Sequence, residues 1–381
     1  MSHADLANLS DKLMLSTVVL YIVALVAYAA DLGFGQRRRD AEIAETTKAK
    51  VLVGADGAEV ADASAASAGT SAGPSAASGD DAGADGRKVE WMRLAILLNV
   101  IGWAAHLGFI ATRGLSASRW PWANMYEFLA AIAFAAVTAF LVVMWRYRAQ
   151  FLGAFVMAAA VLALGVANIW LYDKAGPVVP ALNSYWIAIH VTAAITATGA
   201  FTVAGASTLL YLLKARQEAR LATAATAATA ATAATAATAA TAATATAATA
   251  TAATGRAAGS GPAPVAATAL GGSGFMSRVP AAETLDRLAL RVTMFAFPIW
   301  TAAIIMGAIW ADEAWGRYWG WDPKEIWSFV TWIIYAAYLH ARATAGWKGR
   351  KAAILSLIAF AALLFNFFGV NYIFSGLHSY A

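Results

Sequence analysis

The chain has 381 residues, of which 60% are hydrophobic and 13% are charged, and its formal net charge at pH 7 is +5. Soluble domains carry about 25% charged residues, so this composition indicates an integral membrane protein. The basic residues are spread over loops and form no nucleic-acid-reading motif, which excludes nucleic acid as an expected partner. The chain has no cysteine, so it forms no disulfide, no Cys-ligated metal site and no thiol relay of its own.

Apolar runs of about 20 residues, the length that crosses a bilayer, recur along the whole chain. Eight such runs occupy residues 13–33, 94–112, 126–144, 151–172, 186–213, 289–311, 326–343 and 352–374. The sequence therefore predicts an all-α integral membrane protein, a polytopic bundle of about eight transmembrane helices with membrane lipid around it.

The first run has one feature of a secretory signal, because Ala27-Tyr28-Ala29 has the small-residue pattern of a cleavage site. Its flanks differ from those of a signal. Acidic residues precede the run, and three arginines at 37–39 follow it, which is a stop-transfer pattern. We expect a retained membrane anchor.

Lys and Arg alternate between the predicted loops. Most of them follow the first, third, fifth and seventh spans, while the other loops carry only Arg113, Arg119, Lys174, Arg317 and Lys324. Basic loops favour the cytoplasm. The pattern predicts an N-out/C-out protein of the cell (cytoplasmic) membrane, with both termini and the loop between spans six and seven on the outer face.

Two polar linkers divide the predicted bundle. Residues 1–36 contain the first helix, and residues 37–90 are an Ala-, Gly-, Ser- and Asp-rich cytoplasmic linker that we expect to be disordered. Residues 91–213 contain helices two to five. Residues 214–284 are a second cytoplasmic linker of low complexity, and residues 285–381 contain helices six to eight.

The second linker contains a Thr-Ala-Ala repeat over residues 223–254. Alanine favours helix and frequent threonine opposes it, and a period of three residues gives no single face to bury. We expect a disordered spacer whose length is loosely constrained.

The loop between spans six and seven is dense in aromatic and acidic residues. Residues 315–327 hold four tryptophans together with Asp322 and Glu325, and Pro323 is typical of a helix start. Tryptophan alone is common at membrane interfaces, but an anchoring belt does not require the two carboxylates. Wide indole faces suit a large flat aromatic ligand, and a porphyrin is the obvious candidate. The carboxylates would repel propionates, so we expect them to orient a Trp N–H, the backbone or a basic residue.

Four of the five histidines lie in or beside predicted spans, where an ionisable side chain indicates a functional site; His3 lies in a polar terminus. His190 begins the fifth span and His378 follows the eighth, so both are expected near the outer surface beside the tryptophans. Two neutral imidazoles on opposite faces of a porphyrin supply both axial ligands of a haem iron.

The remaining two histidines are expected deeper in the membrane. His340 lies on the order of 20 Å below the outer surface by helix rise, where it would ligate the same haem earlier in its passage. For His106, in the second span, we favour an interhelical hydrogen bond.

Several basic residues near the outer face are candidates for pairing with haem propionates, because guanidinium matches a planar carboxylate. Arg113 and Arg119 either pair with the propionates or are solvated charges at the outer rim of the protein. Arg317 and Lys324, within the tryptophan-rich loop, are further candidates.

The loop resembles the WWD motif of haem-handling membrane proteins, with the pattern Trp315-Gly316-x-x-Trp319-x-Trp321-Asp322-x-x-Glu325-x-Trp327. His190 and His378 match the two outer-face histidines of that superfamily. The eight spans, His340, the Asn124-Met125-Tyr126-Glu127 box and the closing Phe-Ser-Gly-Leu-His are similar to the CcsA/ResC family of System II cytochrome c biogenesis proteins, called CcsB in many actinobacteria. The similarity covers about 91–213 and 285–381.

The resemblance implies a component of a cytochrome c haem lyase that carries haem b (iron protoporphyrin IX) and attaches it to the Cys-x-x-Cys-His sequence of apocytochrome c. It implies that His190 and His378 are external haem ligands and that His340 is one of two transmembrane ligands, the other belonging to a CcsB/ResB-type membrane partner. A separate thiol-reducing system for apocytochrome is also implied. The complete predicted haem site consists of His190, His378, His340, Trp315, Trp319, Trp321, Asp322, Glu325, Trp327 and Arg119.

Three alternatives stay open at the level of sequence. A haem-delivery protein would load a haem chaperone without synthase activity, and maturation of a reporter cytochrome by this chain and its partner alone separates the two. A proton-coupled small-solute permease would use the intramembrane histidines as relays and bind no haem. A structural assembly subunit would likewise bind none.

Overall fold

The computed structural model describes residues 2–58, 90–176, 182, 184–250 and 275–377, with side chains omitted over 34–58, 242–250 and at 275. Every regular element within these ranges is helical. The helices are α1 (His3–Ala58), α2 (Trp91–Ala117), α3 (Met125–Tyr147), α4 (Gly153–Trp170), α5 (Tyr185–Ala250), α6 (Ala282–Trp315), α7 (Pro323–Ala343), α8 (Arg350–Leu364) and α9 (Val370–Ile373). A π-helical turn over Phe365–Gly369 joins α8 to α9.

The predicted all-helical, multi-pass membrane bundle is confirmed. Among the described residues, seven helical segments are long and apolar enough to cross a membrane. They lie in α1 to α6, with one 3-10 turn included, and in the continuous unit Arg350–Ile373. Helix α7 has 21 residues, about 32 Å of helix, which also matches the hydrocarbon thickness. Its tryptophans, tyrosines and charged ends make it less apolar than the others, and it corresponds to the seventh predicted span in chain order, residues 326–343.

Close helix contacts in the bundle depend on small residues. In α5, a Cβ on Gly199 would stand 2.5 Å from the backbone of Ala135 in α3. Helix α1 packs on α2 and α4 in the same way, because a Cβ on Gly102 would meet the ring of Tyr21. These approaches bring backbones into van der Waals contact, which drives helix association in lipid.

His106 lies fully buried where α1, α2 and α3 meet. Its Nδ1 is 3.4 Å from the hydroxyl of Tyr21, and the ring of Phe134 contacts it edge-on at 5.3 Å. The side chain therefore contributes to interhelical packing, the role that sequence analysis favours for it.

Helices α1 and α5 continue into the two segments that the composition predicts to be disordered linkers. In α5, residues from Thr223 to Thr241 are helical and exposed, and each repeat threonine donates its hydroxyl to the carbonyl four residues earlier, as Thr226 does to Ala222 at 3.0 Å. The high helix propensity of alanine allows helix without a buried face, and the internal bonds satisfy the threonine hydroxyls. Residues 59–89 and 251–274 lie outside the described residues, so the domain division stays a prediction.

Candidate ligand-binding site at the tryptophan-rich loop

The tryptophan-rich loop, residues 315–327, is held by backbone hydrogen bonds to its two carboxylates. Helix α6 ends at Trp315, and its C-cap residue Gly316 is in the left-handed conformation, with a φ of 67°. Helix α7 begins with a capping box in which Asp322 accepts from the N–H of Lys324. Glu325 Oε2 accepts from Gly320 N at 2.8 Å and from Asp322 N at 3.0 Å. Both acids therefore orient backbone groups.

The same loop is tied to the C-terminal segment. Asp322 Oδ2 accepts the backbone N–H of Leu377 at 2.8 Å, and Lys324 Nζ donates to Asn371 Oδ1 at 2.6 Å. A Cβ on Gly376 would lie 2.4 Å from the Asp322 carboxylate, so only glycine fits there. His378 itself lies outside the described residues, and its chain neighbour Leu377 is held by Asp322.

A cavity of about 110 Å³ opens beside this loop. Helices α3, α5, α6, α7 and α8, the π-helical turn and the loop supply its walls. The lining residues that bear on ligand chemistry are His190, Thr198, Trp300, Tyr318, Trp319, Lys324, Glu325, Ser328 and Asn366. The cavity is thus mainly apolar and aromatic with a few polar groups at defined points.

His190 is fixed in one tautomer by α6. Its Nδ1 lies 2.7 Å from the carbonyl oxygen of Ala303, and a carbonyl only accepts, so Nδ1 carries the proton. In a neutral imidazole the lone pair then belongs to Nε2, the arrangement found in metal-ligating histidines. The ring lies nearly parallel to that of Trp310, at 6.3 Å and 8°, and Gly307 provides its space, because a Cβ there would stand 2.7 Å from Cε1.

Asn366 is a polar cavity residue that sequence reasoning missed. It lies in the π-helical turn, a feature common at functional sites, and only 6% of the residue is exposed. Its Oδ1 is buried with no hydrogen-bond partner within the described part of the chain. Since a buried orphan costs about 1–3 kcal/mol, the amide is suited to a bound ligand group.

The cavity face of α6 was also missed. Trp300, Ala303, Gly307 and Ala311 follow helical spacing along one face of that helix. A sequence pattern could have indicated this face: small residues lie between two tryptophans, and small side chains leave space against a neighbouring helix.

Of the four loop tryptophans, Trp319 lines the cavity. Trp315 packs edge-on against Trp310, 4.7 Å away, and Trp327 packs against Phe365 at 4.3 Å. Trp321 is 68% exposed and adopts a φ of 59°. The tryptophan-rich loop thus places one tryptophan at the cavity, packs two against neighbouring aromatic rings and exposes the fourth.

Arg113, in the last turns of α2, and Arg119, in the α2–α3 loop, are not among the residues that line the cavity. Both pair with buried Glu127, Arg113 through Nε at 2.9 Å and Arg119 through Nη1 at 2.7 Å. Arg119 also donates to the carbonyl of Gly176, and Arg113 to that of Asp173. Removing one member would leave a buried charge at a cost of about 3–5 kcal/mol, so the cluster holds the α2–α3 loop together.

His340 is exposed near the far end of α7 and does not line the cavity. It shares an outward face of that helix with Ile326, Phe329 and Ile333, which are 37–45% exposed. Its imidazole therefore faces the surroundings of the single chain.

Comparisons with known proteins agree on one family. Residues 122–378 match the family described as Cytochrome C assembly protein. The chain is 33% identical over 295 residues to the cytochrome c biogenesis protein CcsA of Gloeobacter violaceus, covering 74% of this chain and 87% of that protein. It is 34% identical over 277 residues to CcsA of Synechococcus elongatus, covering 71% and 82%.

A solved structure of the cytochrome c heme lyase CcmF is similar in fold. The TM-score is 0.53 at 15% sequence identity, over 97% of this chain and 47% of that one. The chain therefore spans about half of the lyase, and the likeness shows the fold alone.

Proposed function

The chain belongs to the cytochrome c assembly protein family, in its CcsA/ResC branch, and we propose that it binds haem b in the His190 cavity and presents it for covalent attachment to apocytochrome c. The observation that carries the proposal is the hydrogen bond from His190 Nδ1 to Ala303, which assigns the lone pair to Nε2 at the wall of an apolar cavity.

The residues around His190 fit a porphyrin with acidic edge groups. Aromatic side chains such as Trp300 and Trp319 line the cavity and provide apolar faces for the macrocycle. Lys324, on the same wall, supplies a cation for a propionate. Asn366 Oδ1 has no partner among the described residues, and rotation of the amide would turn its NH2 toward the cavity, where it would donate a hydrogen bond to a propionate.

Haem is the substrate in this proposal, and the reaction is addition of a thiol to a vinyl group. The S–H bond breaks, sulfur bonds to one vinyl carbon and hydrogen to the other, so no oxidant or reductant is consumed. The chain's part is orientation: His190 and His378 hold the iron, and the surrounding wall holds the ring in register with the approaching Cys-x-x-Cys-His segment. The histidine of that segment replaces one ligand on release.

A membrane partner and a reductant complete the proposed system. The exposure of His340 supports its proposed role as a transmembrane haem ligand shared with a CcsB/ResB-type protein. Thiolate is the reactive form of cysteine, and this chain has no cysteine, which supports a separate thiol-reducing system. The basic-loop pattern supports an outer-face location for the cavity.

The test is reconstitution in a host that lacks its own cytochrome c maturation system. Co-expression of this chain with its CcsB/ResB-type partner is expected to mature a reporter cytochrome, and the purified complex should show the Soret band of a b-type haem. Haem binding without reporter maturation would indicate delivery to a chaperone instead. Absence of haem from a folded complex would contradict the proposal.

Substitution of Asn366 tests the amide as a haem contact. Asn366→Leu keeps side-chain size but removes the hydrogen bond, and haem retention is expected to fall about tenfold or more, because a bond to a charged group contributes roughly 1.5–3 kcal/mol. Retention is measured by haem transfer to an apoprotein acceptor. Asn168→Leu is the control, since Asn168 donates to a carbonyl within its own helix α4, and it should leave haem retention unchanged. Equal retention in Asn366→Leu and the unmodified protein would exclude the contact.

A further inference from the structure

The end of the bundle opposite the tryptophan-rich loop has a basic crevice. It lies where the C-terminus of α3 meets the start of α6 and the segment before it. Four arginines line it: Arg148, Arg278, Arg287 and Arg291. Arg146 lies at its edge, in the last turn of α3. Four guanidinium groups thus line one opening, and a fifth, that of Arg146, lines the adjoining groove.

Three of these arginines have no ionic partner among the described residues. Arg278 pairs with Asp31 at 3.0 Å, and Arg287 lies 4.0 Å from an exposed Glu283. Arg146, Arg148 and Arg291 form no ion pair with any side chain that the structure describes. Arg146 and Arg291 instead both contact the ring of Tyr147, at 5.4 and 5.6 Å. Guanidinium N–H groups therefore remain available for an anion.

The crevice continues into an apolar groove. Tyr147 and Arg291 line both, and beyond them the groove runs between α3, α5 and α6 with Ala131, Ala135 and Ala139 on one face of α3. The close contact of α3 with α5 at Gly199 closes its floor. From Arg146 to Ala131 the helix rises about 22 Å, so the groove is longer than the roughly 15 Å depth of one bilayer leaflet and can take an acyl chain along its length.

The outer rim of this groove faces away from the protein. Val142 is 56% exposed and Phe295 64% exposed, so in a membrane these apolar side chains contact lipid. An occupant with an acyl chain reaches the groove laterally from the bilayer, and its anionic head then lies at the depth of the arginines.

We propose that the crevice and groove bind one anionic phospholipid, with its phosphate held by Arg146, Arg148 and Arg291 and an acyl chain along the alanine face of α3. Arginine binds phosphate in bidentate geometry, and basic pockets between membrane helices select acidic lipid heads. The lipid would join α3 to α6, the helix that supplies Ala303 and Gly307 to the cavity. The lipid site does not depend on haem binding.

The test uses the full chain purified in detergent and measures retention of phosphatidylglycerol against phosphatidylcholine with the same acyl chains, by native mass spectrometry. The unmodified protein is expected to retain phosphatidylglycerol at least about tenfold better. The double variant Arg146→Gln/Arg291→Gln should lose that preference, about tenfold or more for two arginine contacts. The control Arg93→Gln/Arg350→Gln removes two exposed arginines outside the crevice lining and should keep the preference.

A third variant separates the acyl groove from charge. Ala139→Trp fills the groove and leaves every arginine in place, so phosphatidylglycerol retention should fall while binding of inorganic phosphate stays unchanged. Equal retention of the two lipids by the unmodified protein would overturn the proposal. If Arg93→Gln/Arg350→Gln loses the preference for phosphatidylglycerol equally, the effect is one of bulk charge. If Arg146→Gln/Arg291→Gln loses haemin binding but keeps the lipid preference, the occupant is a porphyrin. Both outcomes also overturn it.

Discussion

His190→Gly is expected to abolish cytochrome c maturation and remove most of the Soret absorbance of the purified complex. The substitution deletes the imidazole whose Nδ1 donates to Ala303 and whose Nε2 is the proposed iron ligand. Loss of a residue that merely orients a metal ligand costs about 10–100-fold, so loss of the ligand itself should exceed about 100-fold. Reporter maturation by haem staining and the absorption spectrum measure the two effects.

Two further variants test whether position or mere presence of the imidazole matters. Gly307→Ala keeps His190 but places a Cβ where the ring lies 2.7 Å away, and maturation should fall about 10–100-fold by displacing the ligand. His3→Gly removes a histidine whose Nδ1 contacts the carbonyl of Ser116, outside the cavity, and should have no effect. Full maturation with His190→Gly would exclude His190 as a ligand.

The parts of the site that sequence predicts are those that chain proximity brings together. Trp319, Lys324 and Glu325 are close in sequence, and they line the same cavity because a tight loop and a capped helix start fix them. His190 was predictable because an ionisable residue inside a membrane span is costly.

The parts that sequence does not predict depend on contacts between distant helices. Asn366 and Gly307 become cavity residues only because the π-helical turn after α8 and helix α6 face the same cavity as α5, and neither residue type signals that arrangement. Arg119 has a protein partner that sequence reasoning did not identify. Guanidinium near the outer face suggests a propionate partner, but Glu127, eight residues away, already accepts two hydrogen bonds from it. The sequence feature that could have indicated this pairing is Glu127 itself, a carboxylate within the first turn of α3.

The fold shows the same division. Hydropathy predicts the spanning segments, because burial in lipid requires an apolar stretch of fixed length. It does not predict where a helix ends outside the membrane. There, the high helix propensity of alanine keeps α5 helical well beyond its span.

Asp322→Asn is expected to reduce maturation at least about tenfold while the protein still folds. Asparagine remains a good N-cap for α7, so its one carbonyl oxygen keeps the bond from Lys324 N. Its amide NH2 cannot accept from Leu377 N, and the bond to this residue, next to His378 in the chain, is lost. A hydrogen bond to a charged group contributes roughly 1.5–3 kcal/mol. Asp322 is thus a positioning residue for the second proposed ligand, and the Soret band should shift or weaken along with maturation.

Glu325→Gln is the matched variant, because it also removes one negative charge from the same loop. Its single carbonyl oxygen can still accept both N–H groups that Glu325 Oε2 binds, from Gly320 and Asp322. Maturation should therefore stay within about a few fold of the unmodified protein, the effect of weakening bonds without breaking them. If the two variants lose activity equally, the negative charge of the loop and not the tie to Leu377 is what matters. If only Asp322→Asn fails, the connection between the tryptophan-rich loop and the C-terminal segment places the second histidine.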